Sequence, residues 1–348
     1  MHKSYLKTLQ PVIDSGHMQA AIDGVYKYPH RINLFPGTSC MFECDFCGRN
    51  YNAVSDVDEY FWDTVLDQDD GKDIYRFNIS GGLEPLTYKH IDRLCKDLYD
   101  RRYRSRLVTN GFLLNTKSLL KNTYLLSLDH IRVSLYGLDS DEYTVTTKHK
   151  KGYQVVKNNL TLYNRFMDTP PLYLNYVLLP QHFEKLDKII NYIDDIGGVS
   201  NISLREDFSF QYEITDRNKL MDMINIFDEK IKSRGISVDY GYALSQLLEG
   251  NIAKLLRVDH TQLTKKQSPQ IKIAIDPRGD IYSWLEAAFI DREGSDRHIL
   301  GNVINSSIEE ELKKMKEVEP IEADERFLDA FNHVMEYYKW TNLQETSQ

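Results

Sequence analysis

Between Arg31 and Asp207 the apolar positions keep two periods in turn, one of two residues and one of about 3.6, and each switch predicts a strand followed by a helix. Apolar strands are predicted at Ile32–Phe35, Ile74–Ile79, Leu107–Thr109, Ile131–Tyr136, Leu172–Leu179 and Ile202–Leu204. Amphipathic stretches lie between them at Asp56–Leu66, Tyr88–Tyr99, from Phe112-Leu113-Leu114, at Gly152–Phe166 and at Phe183–Ile196. Strand and helix in strict alternation mean a parallel sheet with right-handed crossovers. The expected fold is therefore α/β, a partial (β/α)6 TIM-like barrel with a small α+β C-terminal extension.

Beyond the sixth strand the pattern changes. Asp216–Arg234 reads as a helix, Ile236–Tyr240 as a strand and Ser245–Arg257 as a helix, with a linker-like stretch at Thr261–Pro269. Ile271–Ile275 and Ile281–Trp284 flank the turn Asp276-Pro277-Arg278-Gly279-Asp280 and predict a β-hairpin. The expected organisation is an N-terminal extension (1–30), a barrel core (31–215) and a C-terminal region (216–348).

Charge and length narrow the classes. A net charge of -9 over 348 residues argues against general nucleic-acid binding. The basic run Arg101-Arg102-Tyr103-Arg104-Ser105-Arg106 reads as a solvated helix end and loop, with a phosphate-binding patch as the alternative. No run of apolar residues is long enough to span a bilayer and no targeting segment is visible, so a cytoplasmic protein without membrane partners is expected.

The chain has four cysteines, and three of them form Cys40-x3-Cys44-x2-Cys47 on the loop after the first strand. Three thiolates so close cannot staple a fold but can grip a soft metal centre. A closed zinc site needs a fourth ligand, such as His30, whereas an iron–sulfur cluster on three cysteines leaves one iron open. The fourth cysteine, Cys95, shares the apolar spacing of Ile91, Leu94 and Leu98 and reads as core. The 23 tyrosines read mostly as packing. In parallel barrels chemistry gathers after the strand C-termini. The cysteine loop, Ser80–Pro85, Asn110-Gly111, Ser134 and Arg205-Glu206-Asp207 all fall there.

The cysteine spacing, Phe46 before the last cysteine, and Ser80-Gly81-Gly82-Leu83-Glu84-Pro85 one strand later resemble a radical S-adenosylmethionine (SAM) enzyme over about Arg31 to Glu206. That resemblance implies one [4Fe-4S] cluster on Cys40, Cys44 and Cys47, with SAM on the open iron. It implies SAM contacts at Phe46, Gly81, Gly82 and Glu84, although Leu83 interrupts the family's Gly-Gly-Glu-Pro segment. Ser134, Asn175 and Arg205 stand where relatives place further polar contacts. The hairpin and Gly301-Asn302 are similar to SPASM and Twitch modules, but no cysteine follows Cys95 to hold an auxiliary cluster.

The implied activity is reductive cleavage of SAM to a 5′-deoxyadenosyl radical that abstracts hydrogen. Without an auxiliary cluster or a pocket cysteine, elimination, decarboxylation or rearrangement is expected rather than dehydrogenation or epimerisation. Residues 1–30 are too few for a peptide-recognition domain. Arg49, Arg205, Glu206 and Asp207 suit a polar small molecule such as a sugar, nucleoside or amino-acid derivative. A flavodoxin or ferredoxin would be the reductant. The alternatives are radical modification of a peptide or protein, and a non-catalytic iron–sulfur or zinc protein.

Overall fold

The computed structural model describes residues 10–17, 19–20, 25–44, 47, 54–68, 76–178, 185–206, 217–241, 244, 271–282, 288 and 295–314. Phe46, Arg49, Asp207 and the expected helix Ser245–Arg257 lie outside these residues.

Parallel strands follow one another as expected: β1 (Arg31–Leu34), β2 (Arg76–Ile79), β3 (Arg104–Thr109), β4 (His130–Leu135), β5 (Leu172–Leu178) and β6 (Val199–Glu206). The helices between them are α1 (Asp63–Leu66), α2 (Ile91–Asp100), α3 (Thr116–Lys121), α4 (Ser140–Thr147), α5 (Gly152–Tyr163) and α6 (Leu186–Ile196). Next come α7 (Arg217–Lys232), β7 (Ser237–Tyr240), β8 (Lys272–Ile275), β9 (Asp280–Tyr282), β10 (Ile299–Asn302) and α8 (Ile308–Lys313). All strands join one open sheet in the order β10-β9-β8-β1-β2-β3-β4-β5-β6-β7. The C-terminal strands thus extend the barrel sheet at both edges. β7 pairs parallel with β6 and β8 parallel with β1, while β9 and β10 return antiparallel.

Strand β5 shows why the sequence folds this way. Leu172, Leu174, Tyr176 and Leu178 are buried, alternating with half-buried Tyr173, Asn175 and Val177, so one face meets helices and the other the concave side. Helix α6 answers with Leu186, Ile189, Ile190, Ile193 and Ile196 on one stripe. Each such burial contributes about 1.5–3 kcal/mol relative to exposure. Gly197, at φ +67°, ends the helix in a conformation that costs glycine no Cβ clash.

Local polar chemistry overrides apolar period in three places. Helix α1 is shorter than Asp56–Leu66, because Asp58 Oδ1 captures the Tyr60 N–H at 2.8 Å and the Asp58 carbonyl accepts the Tyr88 hydroxyl at 2.9 Å. Phe112-Leu113-Leu114 does not start a helix. Asn159 Nδ2 donates to the carbonyls of Gly111 and Phe112, at 3.0 and 2.8 Å, and α3 begins at Thr116 under the Asn115 cap. Helix α4, absent from the apolar pattern, is set by Asp139, whose side chain accepts the Glu142 N–H at 2.9 Å.

The basic run divides. Arg101 pairs with Asp67 and Asp63, and Arg104 with Asp129, so its first part is an ion-paired helix end rather than a merely solvated one. Cys95 is fully buried, and burial pushes its thiol pKa up, as a core residue requires. Among the described residues no helix is long and apolar enough to cross a membrane.

Candidate functional site

The cysteine loop leaves β1 through Phe35-Pro36-Gly37 and is held against the loop after β2. The Thr87 hydroxyl accepts the N–H groups of Thr38 and Ser39, at 2.9 and 3.2 Å, and donates to the Glu84 carbonyl at 2.6 Å. The Glu84 N–H donates to the Ser39 carbonyl at 2.9 Å. At Gly37 the two backbones come so close that an added Cβ would lie 2.7 Å from the Glu84 carbonyl oxygen. Further along, the Glu43 N–H donates to the Thr147 carbonyl at 3.0 Å and the Cys47 N–H to the Cys44 carbonyl at 2.9 Å. Phe42, between the first two cysteines, is buried with its ring edge-to-face with Phe112, Tyr136, Tyr143 and His149, at centroid distances of 5.6–5.7 Å. Each such aromatic pair adds about 0.5–1.5 kcal/mol beyond its area, so the loop is anchored by its own middle.

The glycine-rich loop is fixed by two residues. Gly81 sits at φ +131°, and a Cβ there would fall 2.5 Å from Phe35 Cγ, so only glycine fits. Glu84 is buried and accepts from Leu86 N at 3.1 Å, Thr109 Oγ1 at 2.5 Å and Asn110 N at 2.8 Å. Its carboxylate therefore ties the β2 loop to the end of β3. Asn110 carries the link onward. Its Oδ1 accepts the Phe112 N–H at 2.9 Å, which turns Nδ2 toward Met41 Sδ at 3.0 Å and Cys40 Sγ at 3.5 Å.

These elements enclose a cleft with about 470 Å³ of empty space, counting its open mouth. Cys40, Cys44, Cys47, Gly81, Gly82, Glu84 and Ser134 line it together. Of the other residues expected at the site, Asn175 stands beside Ser134 in register on β5, and Arg205 lies a strand further on, its Nη2 donating to Ser203 Oγ at 3.3 Å. Neither lines the cleft. Val108, Thr109 and Tyr136 line it without having been singled out as site residues, and Asn110, expected only to fall at this rim, lines it with them. Tyr136 was legible, because it follows Ser134 by two on the same strand face. Burial above all, then the neighbouring Cys44 thiol, holds the Tyr136 phenol pKa well above its ordinary value.

The donor set fits an iron–sulfur cluster. Three thiols line one cleft, and the Phe42 N–H and Asn110 Nδ2 both approach Cys40 Sγ at 3.5 Å, the kind of hydrogen bond that tunes cluster thiolates. Among the described residues no three His, Cys, Asp or Glu side chains close around a single-ion position. His30 does not join the thiols. Its ring lies against His17 at 5.0 Å, and Nδ1 meets Ser15 Oγ at 3.3 Å.

An open parallel sheet with three thiols and a glycine-rich loop at its C-terminal edge defines a class, and the family model of the Radical SAM superfamily matches residues 34–193. The chain belongs to the Radical SAM superfamily and is a radical SAM enzyme. It is 31% identical to the dTDP-4-amino-4,6-dideoxy-D-glucose ammonia-lyase of Streptomyces venezuelae over 354 residues, covering 94% of this chain and 73% of that protein. Its fold is similar to Streptococcus suis SuiB bound to precursor peptide SuiA, with a TM-score of 0.61 at 15% identity, over 88% of this chain and 69% of that one. It is also similar to anSMEcpe with bound AdoMet, at TM-score 0.59 and 15% identity over 82% and 81% of the two chains. Likeness at such identity speaks to fold alone. Family membership implies SAM and an iron–sulfur cluster as cofactors.

Proposed function

We propose that this enzyme eliminates ammonia from a nucleotide-activated amino sugar, using one [4Fe-4S] cluster on Cys40, Cys44 and Cys47 and SAM bound beside Gly81 and Gly82. The observation that carries the reading is identity to an ammonia-lyase over 94% of the chain, which reaches well beyond the barrel that every superfamily member needs. When bound, the cluster and SAM supply a 5′-deoxyadenosyl radical that abstracts a hydrogen atom from the substrate.

The chain's own residues do the positioning. Thr87 and Glu84 lock the two loops together, so the thiols and the glycine backbone keep a fixed separation. Asn110 directs its amide at the Cys40 sulfur. The rings of Phe42, Phe112, Tyr143 and His149 keep water from beneath the loop, and Tyr136 presents its phenol at the wall. Phe46, Glu84, Ser134, Asn175 and Arg205 are further candidate SAM contacts, with Glu84 chiefly a tether. Cysteines held as thiols suit the cytoplasm, where a flavodoxin or ferredoxin can deliver the electron.

The test is anaerobic. The full chain is reconstituted with iron and sulfide, reduced with dithionite, and given SAM with dTDP-4-amino-4,6-dideoxyglucose. Ammonia and 5′-deoxyadenosine should appear together. SAM cleavage without ammonia, or cleavage stimulated only by a peptide, would replace this reading with another substrate class.

A further inference from the structure

Once SAM and substrate occupy the cleft, its mouth is closed to a protein partner, so an electron must enter from behind the cysteine loop. One surface segment covers that side. The turn Lys148-His149-Lys150-Lys151 joins α4 to α5, and the Thr147 carbonyl just before it accepts the Glu43 N–H at 3.0 Å. Gly152, just after it, sits so close that an added Cβ would lie 2.9 Å from the Tyr143 ring and 3.3 Å from the Phe42 ring. Phe42 lines the cleft beside the three cysteines, and its ring also meets the His149 ring at 5.6 Å. A single side chain therefore stands between the thiol cleft and a half-buried residue of the surface turn. His149 is held from its other side by Phe112, at 4.9 Å, which fixes the turn in place.

The lysines of the turn face water. Lys148 donates to the Val145 carbonyl at 2.8 Å, as suits its place at the C-terminus of α4. Lys150 and Lys151 form no ion pair among the described residues. The acids of the neighbouring helices are mostly engaged elsewhere. On α4, Asp139 pairs with Lys188 and Glu142 with Lys185; on α6, Asp187 pairs with Lys230, Asp194 with Arg234 and Asp195 with Lys157. Helix α5 carries no acid. Exposed Asp141 and Glu43 remain, and Asp141 lies seven residues back along α4, about 10 Å from Lys148. The turn thus sets three ammonium groups against one adjoining carboxylate, in a chain of net charge -9.

We propose that the Lys148–Lys151 turn is the docking point for an acidic one-electron carrier protein of the flavodoxin or ferredoxin kind. Opposite charge steers such an encounter and raises its on-rate more than its affinity, and a small, weak interface lets the spent carrier leave. One electron passes: the carrier is oxidised, the cluster is reduced, and no bond is made or broken. Electron tunnelling falls steeply with distance, which favours a carrier seated one ring from the cleft. The inference rests on membership of the radical SAM family, which needs a reduced cluster, and not on the identity of the sugar.

The reconstituted full-length enzyme is given SAM without any sugar, so that failure of the ammonia-lyase reading leaves the result intact. 5′-Deoxyadenosine is measured with dithionite, with a reduced flavodoxin and with a reduced acidic ferredoxin. At least one carrier should saturate, at a midpoint that rises with salt, and the lower midpoint identifies the better partner. Lys150→Glu and Lys151→Glu should each raise the midpoint, and together by about tenfold or more, while the dithionite-driven rate stays at the wild-type value. Freeze-quenched electron paramagnetic resonance of the reduced cluster should show the same split between carrier and dithionite. Lys96→Glu, a matched charge reversal on the outer surface of α2 where Lys96 pairs with Asp100, should keep the wild-type midpoint. Wild-type midpoints in the double variant overturn the docking surface, as does a dithionite-driven rate that falls in step with the carrier-driven one. So does a wild-type enzyme that accepts electrons from dithionite but from neither carrier.

Discussion

Glu84→Gln distinguishes a structural tether from a ligand contact at the same residue. The Glu84 carboxylate accepts Leu86 N and Thr109 Oγ1 at Oε1, at 3.1 and 2.5 Å, and Asn110 N at Oε2, at 2.8 Å. Glutamine offers one oxygen. If that oxygen keeps the first pair, the new amide NH2 faces the buried Asn110 N–H, and one hydrogen bond to a charged group becomes donor against donor. The loss is about 1.5–3 kcal/mol, or a melting temperature lower by about 2–4 °C for a chain of this size. Glu84→Ala strands all three donors and should fall further. The assay is thermal unfolding by circular dichroism on the apo-protein, with neither cluster nor SAM present, followed by iron content after reconstitution. A tether lowers apo stability, and iron content falls with it because Asn110 no longer holds its amide on Cys40. If Glu84→Gln melts within about a degree of wild type while SAM affinity drops, the tether assignment is wrong.

Cys44→Ala should abolish the visible cluster absorption and 5′-deoxyadenosine formation together, at a cost of only about 1 kcal/mol to the apo-protein; retention of the chromophore would exclude Cys44 as a ligand. Gly81→Ala must move Phe35, 2.5 Å from the added Cβ, and adopt φ +131°. Its urea midpoint should report a loss of about 2–4 kcal/mol, and wild-type stability would show that the loop relaxes freely. Asp276 has its pKa raised by burial, against the opposing pull of Arg278. The folded state therefore holds its proton more tightly than the unfolded state, and this contribution to stability is present below about pH 4 and lost as pH rises through the raised value. Asp276→Asn keeps an acceptor for the N–H groups of Arg278 and Asp280, which bond Oδ1 at 2.8 and 3.0 Å. Its melting temperature relative to wild type should climb from pH 4 to pH 7, and a flat difference would contradict the sign.

The strands were legible because burial imposes a period of two on β5 and on β1, where Ile32 and Leu34 alternate with Arg31 and Asn33. Helix α4 was not, because the Asp139 cap and the single ring of Tyr143 do the work an apolar stripe does elsewhere. At the site, Cys40, Cys44, Cys47, Gly81 and Gly82 announce themselves by spacing. Asn110 does not, since its importance lies in a contact with Cys40 across 70 positions of sequence. The same limit hid the concave cations. Arg106 looked like the end of a surface run, yet register with His130 on β4 places it on the concave face.

Radical chemistry demands that the cleft fix its reactants in place. Hydrogen abstraction tolerates little error in the position of the reacting carbon, yet a cleft built from thiols, glycine backbone and aromatic edges offers few groups to grip a polar substrate. Binding energy must come from a part of the substrate that does not react. Strand positions hold the cleft wall itself, because β3 and β4 fix Val108 and Ser134 more firmly than any loop could. The pairing of β8 with β1 serves the same end: it continues the sheet past the strand that launches the cysteine loop, so that loop springs from an interior strand rather than a frayed edge.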